Sequence, residues 1–265
     1  MWKIVTRKLK EIAKIGSRPD FFIIGAQKCG TTSLYDFLTN ASNDIKPAIS
    51  KELRFFTERN HRGSDFYKSL FPIFKGKSLT GEATPDYFYY HRCPQLVYDY
   101  NPEAKVIIIL RDPVQRAFSQ YSHQNYTWKT HASDPMPFSK AIREEESRFH
   151  VDELSKFYYD YKYYSYKSRG LYYKQLCNWL KYFELGNIHI VFLEDFKEKP
   201  KDTIREILSF LGVKPFFENL NFPIKNKSPD SAIKEADQRY LREFFREDST
   251  KLFELLGEQP RWELN

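Results

Sequence analysis

The chain has 265 residues, enough for one large domain or two small ones, and 41% of them are hydrophobic and 17% aromatic. This composition excludes a disordered, fibrous or low-complexity chain. The net charge of +7 suits anionic ligands and does not by itself indicate a nucleic-acid partner, so none is predicted. Three cysteines without CxxC spacing indicate neither a disulfide framework nor a zinc site, and they favour a reducing, cytoplasmic location.

The first 18 residues predict a basic amphipathic helix ahead of one domain over residues 19–265. Cations interrupt its apolar residues, so it lacks the unbroken run of a signal peptide, and no stretch of the chain approaches the roughly 20 apolar residues of a membrane span. The helix is expected either to pack on its own domain or to touch a membrane surface. Its apolar residues are Trp2, Ile4, Val5, Leu9, Ile12 and Ile15.

Two strand-to-helix units follow in the chain. The apolar run Phe21–Gly25 predicts a strand, and after a polar loop the segment TTSLYDFLTN has the spacing of a helix. Lys105–Leu110 is apolar almost throughout, as a strand covered on both faces must be, and Pro113 begins a second helix.

Further elements extend this alternation. Strands are predicted at Ser78–Ala83 and Asn187–Leu193, and helices at Leu171–Phe183, Thr203–Leu211 and Ala236–Leu256. The pattern indicates an α/β fold with a central, mainly parallel sheet flanked by helices. The stretch from Asn125 to Arg169 fits it poorly and is interpreted as a lid or binding loop. Six tyrosines lie between Tyr158 and Tyr166, and they either pack at the surface or line an acceptor pocket.

The loop GAQKCGTTS, residues 25–33, lies between the first strand and its helix, where free backbone amides and the helix dipole create an anion site. Lys28 adds a positive charge, Gly25 and Gly30 permit tight turning, and the hydroxyls of residues 31–33 can donate hydrogen bonds. The lysine stands two residues before the last glycine, so the loop is not a Walker A motif, which disfavours a nucleotide triphosphatase.

Taken together, these motifs resemble the sulfotransferases that use 3′-phosphoadenosine 5′-phosphosulfate (PAPS), in the branch of the heparan sulfate enzymes and their bacterial relatives. The matching segments, in family order, are FIIGAQKCGTTSL, KELRFF, GEATPDYF, VIIILRDPVQRAFSQYSHQ, RGLYYKQLCNWLKYF and YLREFFREDSTKLFELLG. The resemblance covers nearly the whole chain and implies the P-loop-like sulfotransferase fold. It also implies PAPS as donor, the bisphosphate PAP as product, and no metal.

The resemblance implies a set of donor-binding residues. Arg111 and Ser119 match the site of the 3′-phosphate. Tyr172 is expected to approach the nucleotide or, equally, to pack in the core, and Lys225 and Lys227 fall where relatives have a basic loop over the nucleotide. The residues matched to the 5′-phosphosulfate site are Lys28, Cys29, Gly30, Thr31, Thr32 and Ser33.

Catalysis is expected to rest on positioning and charge stabilisation. Glu52 matches the family's general base, with a surface glutamate paired to Lys51 or Arg54 as the alternative. Lys28 is expected to stabilise charge on the leaving phosphate. His123 matches a histidine near the transferred group, and it either donates a hydrogen bond there or replaces Glu52 as the base.

The acceptor site departs from the carbohydrate enzymes of the family. Many of these have histidine where Arg54 stands and lysine where Ala83 stands, and we expect Arg54 to replace part of the missing charge. Asp86 and Tyr87 either contact the acceptor or serve in turn capping and packing. The tyrosine-rich segment favours a small-molecule acceptor, with a saccharide as the alternative. Other classes left open are a P-loop kinase and a non-catalytic basic binding module.

Overall fold

The computed structural model describes residues 2–73, 77–127, 133–149, 161–214 and 233–264. Lys225 and Lys227 lie outside these ranges, so their predicted role at the nucleotide stays a prediction. The described residues form two compact units. The first takes its residues from Met1–Leu110 and Leu176–Lys225, and the second from Arg111–Gln175 and Asn226–Asn265. The predicted division at residue 18 also stays a prediction.

The first unit is built on a five-stranded parallel sheet with strand order β2-β3-β1-β4-β5. Strand β1 and residues 106–110 of β4 are apolar and buried, as expected where helices cover both faces of a parallel sheet. The strand order reverses between β1 and β4, the position where open α/β sheets bind ligands at the carboxyl ends of their strands. The strands are β1 (Phe21–Gly25), β2 (Ile45–Pro47), β3 (Leu79–Ala83), β4 (Lys105–Leu110) and β5 (Ile188–Phe192).

Helices alternate with these strands. They are α1 (Trp2–Ile12), α2 (Thr31–Asn40), α3 (Gly63–Lys68), α4 (Asp86–Tyr89), α5 (Cys93–Tyr100), α6 (Pro113–Ser122), α7 (Phe138–Arg143), α8 (Glu145–Arg148), α9 (Tyr172–Trp179), α10 (Leu193–Glu198), α11 (Pro200–Leu211) and α12 (Glu235–Leu256). Short π-helical turns occupy Phe55–Arg59 and His123–Thr127, and 3₁₀-helical turns occupy Asn60–Arg62, Ser168–Gly170 and Leu185–Asn187. Of the helices described, none combines the length and apolar character needed to cross a bilayer.

The sequence-based elements are confirmed at β1, β3, β4 and β5 and at the helices that follow β1 and β4. The helix predicted over Leu171–Phe183 is shorter, because the amides of Tyr182 and Phe183 both donate to the carbonyl of Trp179 and close a turn there. The three-residue strand β2 and the short helix α4 were not predicted.

The second unit packs α6 and α12 around an apolar cluster. Its buried members are Val114, Ala117, Phe138, Ala141, Ile142, Tyr164, Tyr166, Ile233, Leu241 and Phe245. The buried guanidinium of Arg116 donates to Gln120 Oε1 at 2.9 Å and to the carbonyl of Tyr166. The predicted irregular stretch from Asn125 to Arg169 contains the helices α7 and α8 within its described part.

Candidate active site

The loop between β1 and α2 has the backbone geometry of an anion site. Lys28 and Gly30 both adopt left-handed conformations, with φ of 67° and 91°. The Ala26 amide donates to the carbonyl of Ile109 at 2.7 Å, which joins the loop to β4. The first hydrogen bond of α2 runs from the Leu34 amide to the carbonyl of Gly30, so the amides of residues 31–33 precede the helical ladder. These are the amides that a bound anion can use.

Two glycines of this loop lie close to neighbouring side chains. A Cβ atom on Gly25 would lie 2.5 Å from the Cβ of Phe88, and one on Gly30 would lie 2.9 Å from Leu193 Cδ1. Gly30 is also left-handed, a conformation that side chains disfavour. The sequence-based interpretation of both glycines is therefore consistent with the packing around them.

The electrostatics of the loop favour a negative ligand. The first turn of α2 holds no acidic residue, and its N-cap, Gly30, makes no side-chain cap hydrogen bond. Thr31 and Ser33 are buried, Thr32 and Lys28 are half-buried, and the thiol of Cys29 is fully buried. The predicted contact of Cys29 with the donor stays a prediction, and burial of the thiol leaves the backbone of this residue for it. The amides that open α2, the hydroxyls of residues 31–33 and Lys28 fit the phosphosulfate end of PAPS in their chemistry.

A second segment of the first unit carries the predicted base. Glu52 and Arg54 both have left-handed backbones, with φ of 56° and 52°. The Glu52 amide donates to the carbonyl of Ala83 at 3.0 Å, at the end of β3. Two hydroxyl groups hold the residues that follow: Thr84 Oγ1 accepts from the Arg54 amide at 3.3 Å, and Tyr87 Oη accepts from the Phe55 amide at 2.8 Å.

A buried carboxylate organises these hydroxyls. Glu82, fully buried on β3, accepts hydrogen bonds from Tyr67 Oη, from Tyr87 Oη at 2.9 Å and from Thr84 Oγ1 at 2.7 Å. Burial raises the pKa of Glu82, although the hydrogen bonds from the three hydroxyls act to lower it. We call Tyr67, Glu82, Thr84 and Tyr87 the Glu82 cluster. It fixes the strained segment that carries Glu52 and Arg54.

The sequence does not predict this role of Glu82 and Tyr67. Tyr67 lies 15 residues before Glu82, and nothing in their spacing shows that their side chains meet. A signal was nevertheless present, because a glutamate within a predicted strand of the sheet needs hydrogen-bond donors if it is buried.

The Glu52 carboxylate is paired with two cations. Lys51 Nζ lies 3.2 Å from Oε1 and Arg54 Nη2 lies 2.9 Å from Oε2, while the side chain stays 39% exposed. Burial acts to raise the pKa of Glu52, but Lys51 and Arg54 outweigh it and the pKa is lowered. The ion pairing of Glu52 with Lys51 and Arg54, which the sequence offered as the alternative to a general base, is therefore present. It also keeps the carboxylate ionised at neutral pH, as a general base must be.

Arg54 lies among acidic groups. Its Nη1 is 3.6 Å from Glu58 Oε1, and the charges of Glu52, Asp86 and Glu58 raise its pKa against the opposing effect of burial. Asp86 is buried at the start of α4. Tyr87 is fully buried, and its ring centroid lies 5.4 Å from that of Phe56. The packing role predicted as one alternative for Tyr87 is therefore present. Direct contact of Asp86 or Tyr87 with an acceptor stays a prediction.

The second unit holds the residues matched to the 3′-phosphate. Arg111 directly precedes Asp112, whose Oδ1 caps α6 by accepting from the Val114 amide at 2.8 Å. Asp112 Oδ2 also lies 3.8 Å from Arg242 Nη2. Burial raises the pKa of Asp112, and the positive charges of Arg242 and Arg111 act to lower it. Ser119 is buried on α6, and half-buried His123 begins the turn that follows it. The binding roles of these residues stay predictions.

Two tyrosines, Tyr172 and Tyr166, are anchored within the second unit by hydrogen bonds. Tyr172 is fully buried, with its ring 6.1 Å from that of Trp262, and its hydroxyl donates to the carbonyl of Arg111 at 3.0 Å. The core packing given as one alternative for Tyr172 is therefore present, and its hydroxyl orients the Arg111 backbone. Contact of Tyr172 with the nucleotide stays a prediction. Tyr166 is also fully buried and donates to Gln124 Oε1 and Asp134 Oδ2, both at 2.9 Å. In the described part of the tyrosine-rich segment, the packing alternative thus applies to Tyr166.

Comparisons with known proteins agree with this geometry. Residues 18–254 match the sulfotransferase domain family. Human heparan sulfate glucosamine 3-O-sulfotransferase 6 is 28% identical, over 92% of this chain and 73% of that protein. A Drosophila melanogaster bifunctional heparan sulfate N-deacetylase/N-sulfotransferase is 28% identical, over 85% of this chain and 23% of that protein.

A solved structure extends the agreement to the fold. The crystal structure of a sulfotransferase from Alicyclobacillus acidocaldarius has a TM-score of 0.74 and 29% identity, and the match covers 92% of this chain and 97% of that one. The predicted fold and enzyme class are therefore confirmed. The curated relatives of the chain include heparan sulfate sulfotransferases. The chain itself belongs to the sulfotransferase domain family, as a PAPS-dependent sulfotransferase.

Proposed function

We propose that the chain transfers the sulfuryl group of PAPS to a hydroxyl or amine of a saccharide acceptor. One observation carries the chemistry: an ionised carboxylate, Glu52, is fixed at the end of β3 in the same unit as the anion-binding loop between β1 and α2. The saccharide is supported by the relatives, whose names specify glucosamine 3-O-sulfation and N-sulfation.

Binding of the donor falls to the loop and to two residues matched by resemblance. PAPS supplies a sulfuryl group activated by attachment to a phosphate. The amides that open α2, together with Lys28, bind and orient that phosphosulfate end and offset the charge that develops on the phosphate. Arg111 and Ser119 are proposed, from the resemblance, to bind the 3′-phosphate.

Glu52 is proposed to take the proton from the acceptor. Its lowered pKa keeps it ionised, and its partners Lys51 and Arg54 hold the carboxylate in one orientation. The same pairing makes it a weak base, which suits a loose transition state in which proton loss is late. His123 is the other base that the sequence leaves open, and the pH dependence of the rate distinguishes the two.

The surroundings of Arg54 support a neutral or amine-bearing sugar. Three carboxylates, those of Glu52, Glu58 and Asp86, act on this one guanidinium. Such a cluster offers acceptors and donors for sugar hydroxyls or an amino group, and its negative charge disfavours a sulfate at this position. A small-molecule acceptor is the second candidate, and Ala83 favours it: this residue is a fully buried alanine where carbohydrate enzymes of the family have lysine.

The test is a transfer assay with ³⁵S-labelled PAPS. The acceptors are a glucosamine-containing polysaccharide with free amines, its N-sulfated form, free glucosamine, and a set of phenols and aliphatic amines. We expect label on the polysaccharide or the sugar, loss of transfer in Glu52→Gln, and retention in the control Glu198→Gln, which alters an exposed glutamate. Transfer to phenols or simple amines alone would overturn the saccharide proposal.

A further inference from the structure

The N-terminal helix α1 contacts its own unit through charged side chains. The Arg7 guanidinium lies 5.1 Å from the ring centroid of Phe66 and donates to Glu11 at 3.0 Å. Lys10 Nζ donates to the carbonyl of Phe71 at 2.8 Å. Glu11 also lies 3.6 Å from Arg62 Nη2. The charged face of α1 is thus the face that packs on the protein.

From Arg7 onward, where the structure describes the side chains of α1, its large apolar residues are exposed. Leu9 is 61% exposed, Ile12 is 79% exposed, and Ile15, just beyond the helix, is 47% exposed. Two residues along an α-helix correspond to a rotation of about 200°. Leu9 therefore lies on the face opposite Arg7, and Ile12 on the face opposite Lys10. This orientation is the reverse of an ordinary surface helix, whose apolar face is buried.

Positive charge surrounds this exposed apolar face. Lys8 and Lys14 are exposed beside it, and Glu11 faces the protein, paired with cations. Six lysines and arginines and one glutamate stand among the first 18 residues, so this segment supplies most of the net charge of the chain. Val5 and Trp2, four and seven positions before Leu9, continue the apolar spacing in the sequence. An apolar stripe flanked by lysines is typical of a helix that lies in a membrane interface.

We propose that α1 binds the chain to the surface of an anionic lipid bilayer, with Leu9, Ile12 and Ile15 inserted among the lipids and Lys8 and Lys14 at the headgroups. A second copy of the chain is disfavoured as the occupant. Three side chains are far fewer than the roughly 20 residues per side of a stable interface, and pairing two such helices would bring the same lysines together. The two expectations from the sequence are thus combined, because one face packs on the protein and the other meets the membrane.

The test is co-sedimentation of the full chain with vesicles of phosphatidylcholine, alone or with one-third phosphatidylglycerol. We expect binding to the anionic vesicles, weakened at least ~10-fold by the double substitution Leu9→Gln/Ile12→Gln. The control Leu185→Gln/Leu255→Gln removes two exposed leucines elsewhere and should bind as the parent chain does. Lys8→Gln/Lys14→Gln should lower binding by about five-fold per lysine, whereas the exposed pair Lys181→Gln/Lys201→Gln should change it little.

Several results would overturn the proposal. They are no vesicle binding, equal binding to neutral vesicles, or equal loss in the leucine variant and its control. Light scattering without lipid supplies another: self-association that Leu9→Gln/Ile12→Gln abolishes would identify a second copy as the occupant. Stabilisation of each variant by PAP reports on folding. Vesicle binding and self-association are both measured without an acceptor, so their outcome does not depend on which acceptor the enzyme uses.

Discussion

Tyr87→Phe isolates the contribution of the Glu82 cluster to the geometry of the segment that carries Glu52. The substitution keeps the ring and its contact with Phe56 but removes one hydroxyl. That hydroxyl accepts from the Phe55 amide at 2.8 Å and donates to Glu82 at 2.9 Å. Both partners are buried, so water does not replace the lost group.

The expected cost follows from these two bonds. A buried amide left without an acceptor costs about 1–3 kcal/mol, and a hydrogen bond to a charged group contributes about 1.5–3 kcal/mol. Partial relaxation places the loss of unfolding free energy at about 2–4 kcal/mol, which corresponds to a melting temperature lower by roughly 5–10 °C. We also expect kcat to fall about ten-fold with the KM for PAPS unchanged, because the change displaces Glu52 and spares the donor loop.

The assay is thermal unfolding together with steady-state kinetics, with Tyr98→Phe as the control. Tyr98 is 38% exposed, and its substitution should alter neither quantity. If Tyr87→Phe does not fold, Thr84→Val removes the acceptor of the Arg54 amide and provides the second test. A Tyr87→Phe protein with the parent melting temperature and parent kcat would refute the inference that the cluster positions Glu52.

Four further predictions concern the base, the donor loop and the acceptor. Lys51 and Arg54 lower the pKa of Glu52 despite its burial, so this carboxylate is protonated only below its ordinary pKa of 4.5. We therefore expect kcat/KM to be flat between about pH 5.5 and 7.5. A fall in kcat/KM on the acid side near about pH 6.5 would instead indicate His123 as the base. Gly30→Ala should lower the free energy of unfolding by about 1–3 kcal/mol and weaken PAP binding in calorimetry, whereas Gly186→Ala, with nothing within 4 Å of the added Cβ, should do neither. Lys28→Ala should lower kcat/KM for PAPS by about 100-fold or more, and a parent-like value would remove Lys28 from the mechanism. Arg54→Ala should reduce turnover of the true acceptor, and unchanged turnover would show that Arg54 does not replace the missing lysine charge.

The sequence predicts the centre of the sheet better than its surroundings. Lys105–Leu110 is apolar almost throughout, and GAQKCGTTS places glycine, lysine and hydroxyls between a strand and a helix, so local patterns alone identify β4 and the anion loop. Strand β2 has three residues, too few for a period to be detected, and its hydrogen bonds to β3 place it in the sheet.

The sequence predicts those site residues that stand in a local motif. It does not predict the parts of the site that depend on contacts between residues distant in the sequence. Glu52 and Lys28 stand in recognisable motifs. Tyr67 and Glu82 meet only through the fold, and the spacing of the sequence gives no sign of that contact. For Tyr87 and Tyr172 the sequence leaves ligand contact and packing open. The structure shows that their rings are buried and that their hydroxyls bond to backbone groups, and their ligand contacts stay predictions.

Thermal stabilisation by PAP, compared with ATP and AMP at equal concentrations, tests the central claim most directly. A ligand at about 100 times its Kd stabilises the folded state by about 2.7 kcal/mol. The account predicts that PAP raises the melting temperature by roughly 5 °C or more, that ATP and AMP raise it much less, and that Lys28→Ala reduces the effect of PAP. Equal shifts from all three nucleotides, or none from PAP, would contradict it.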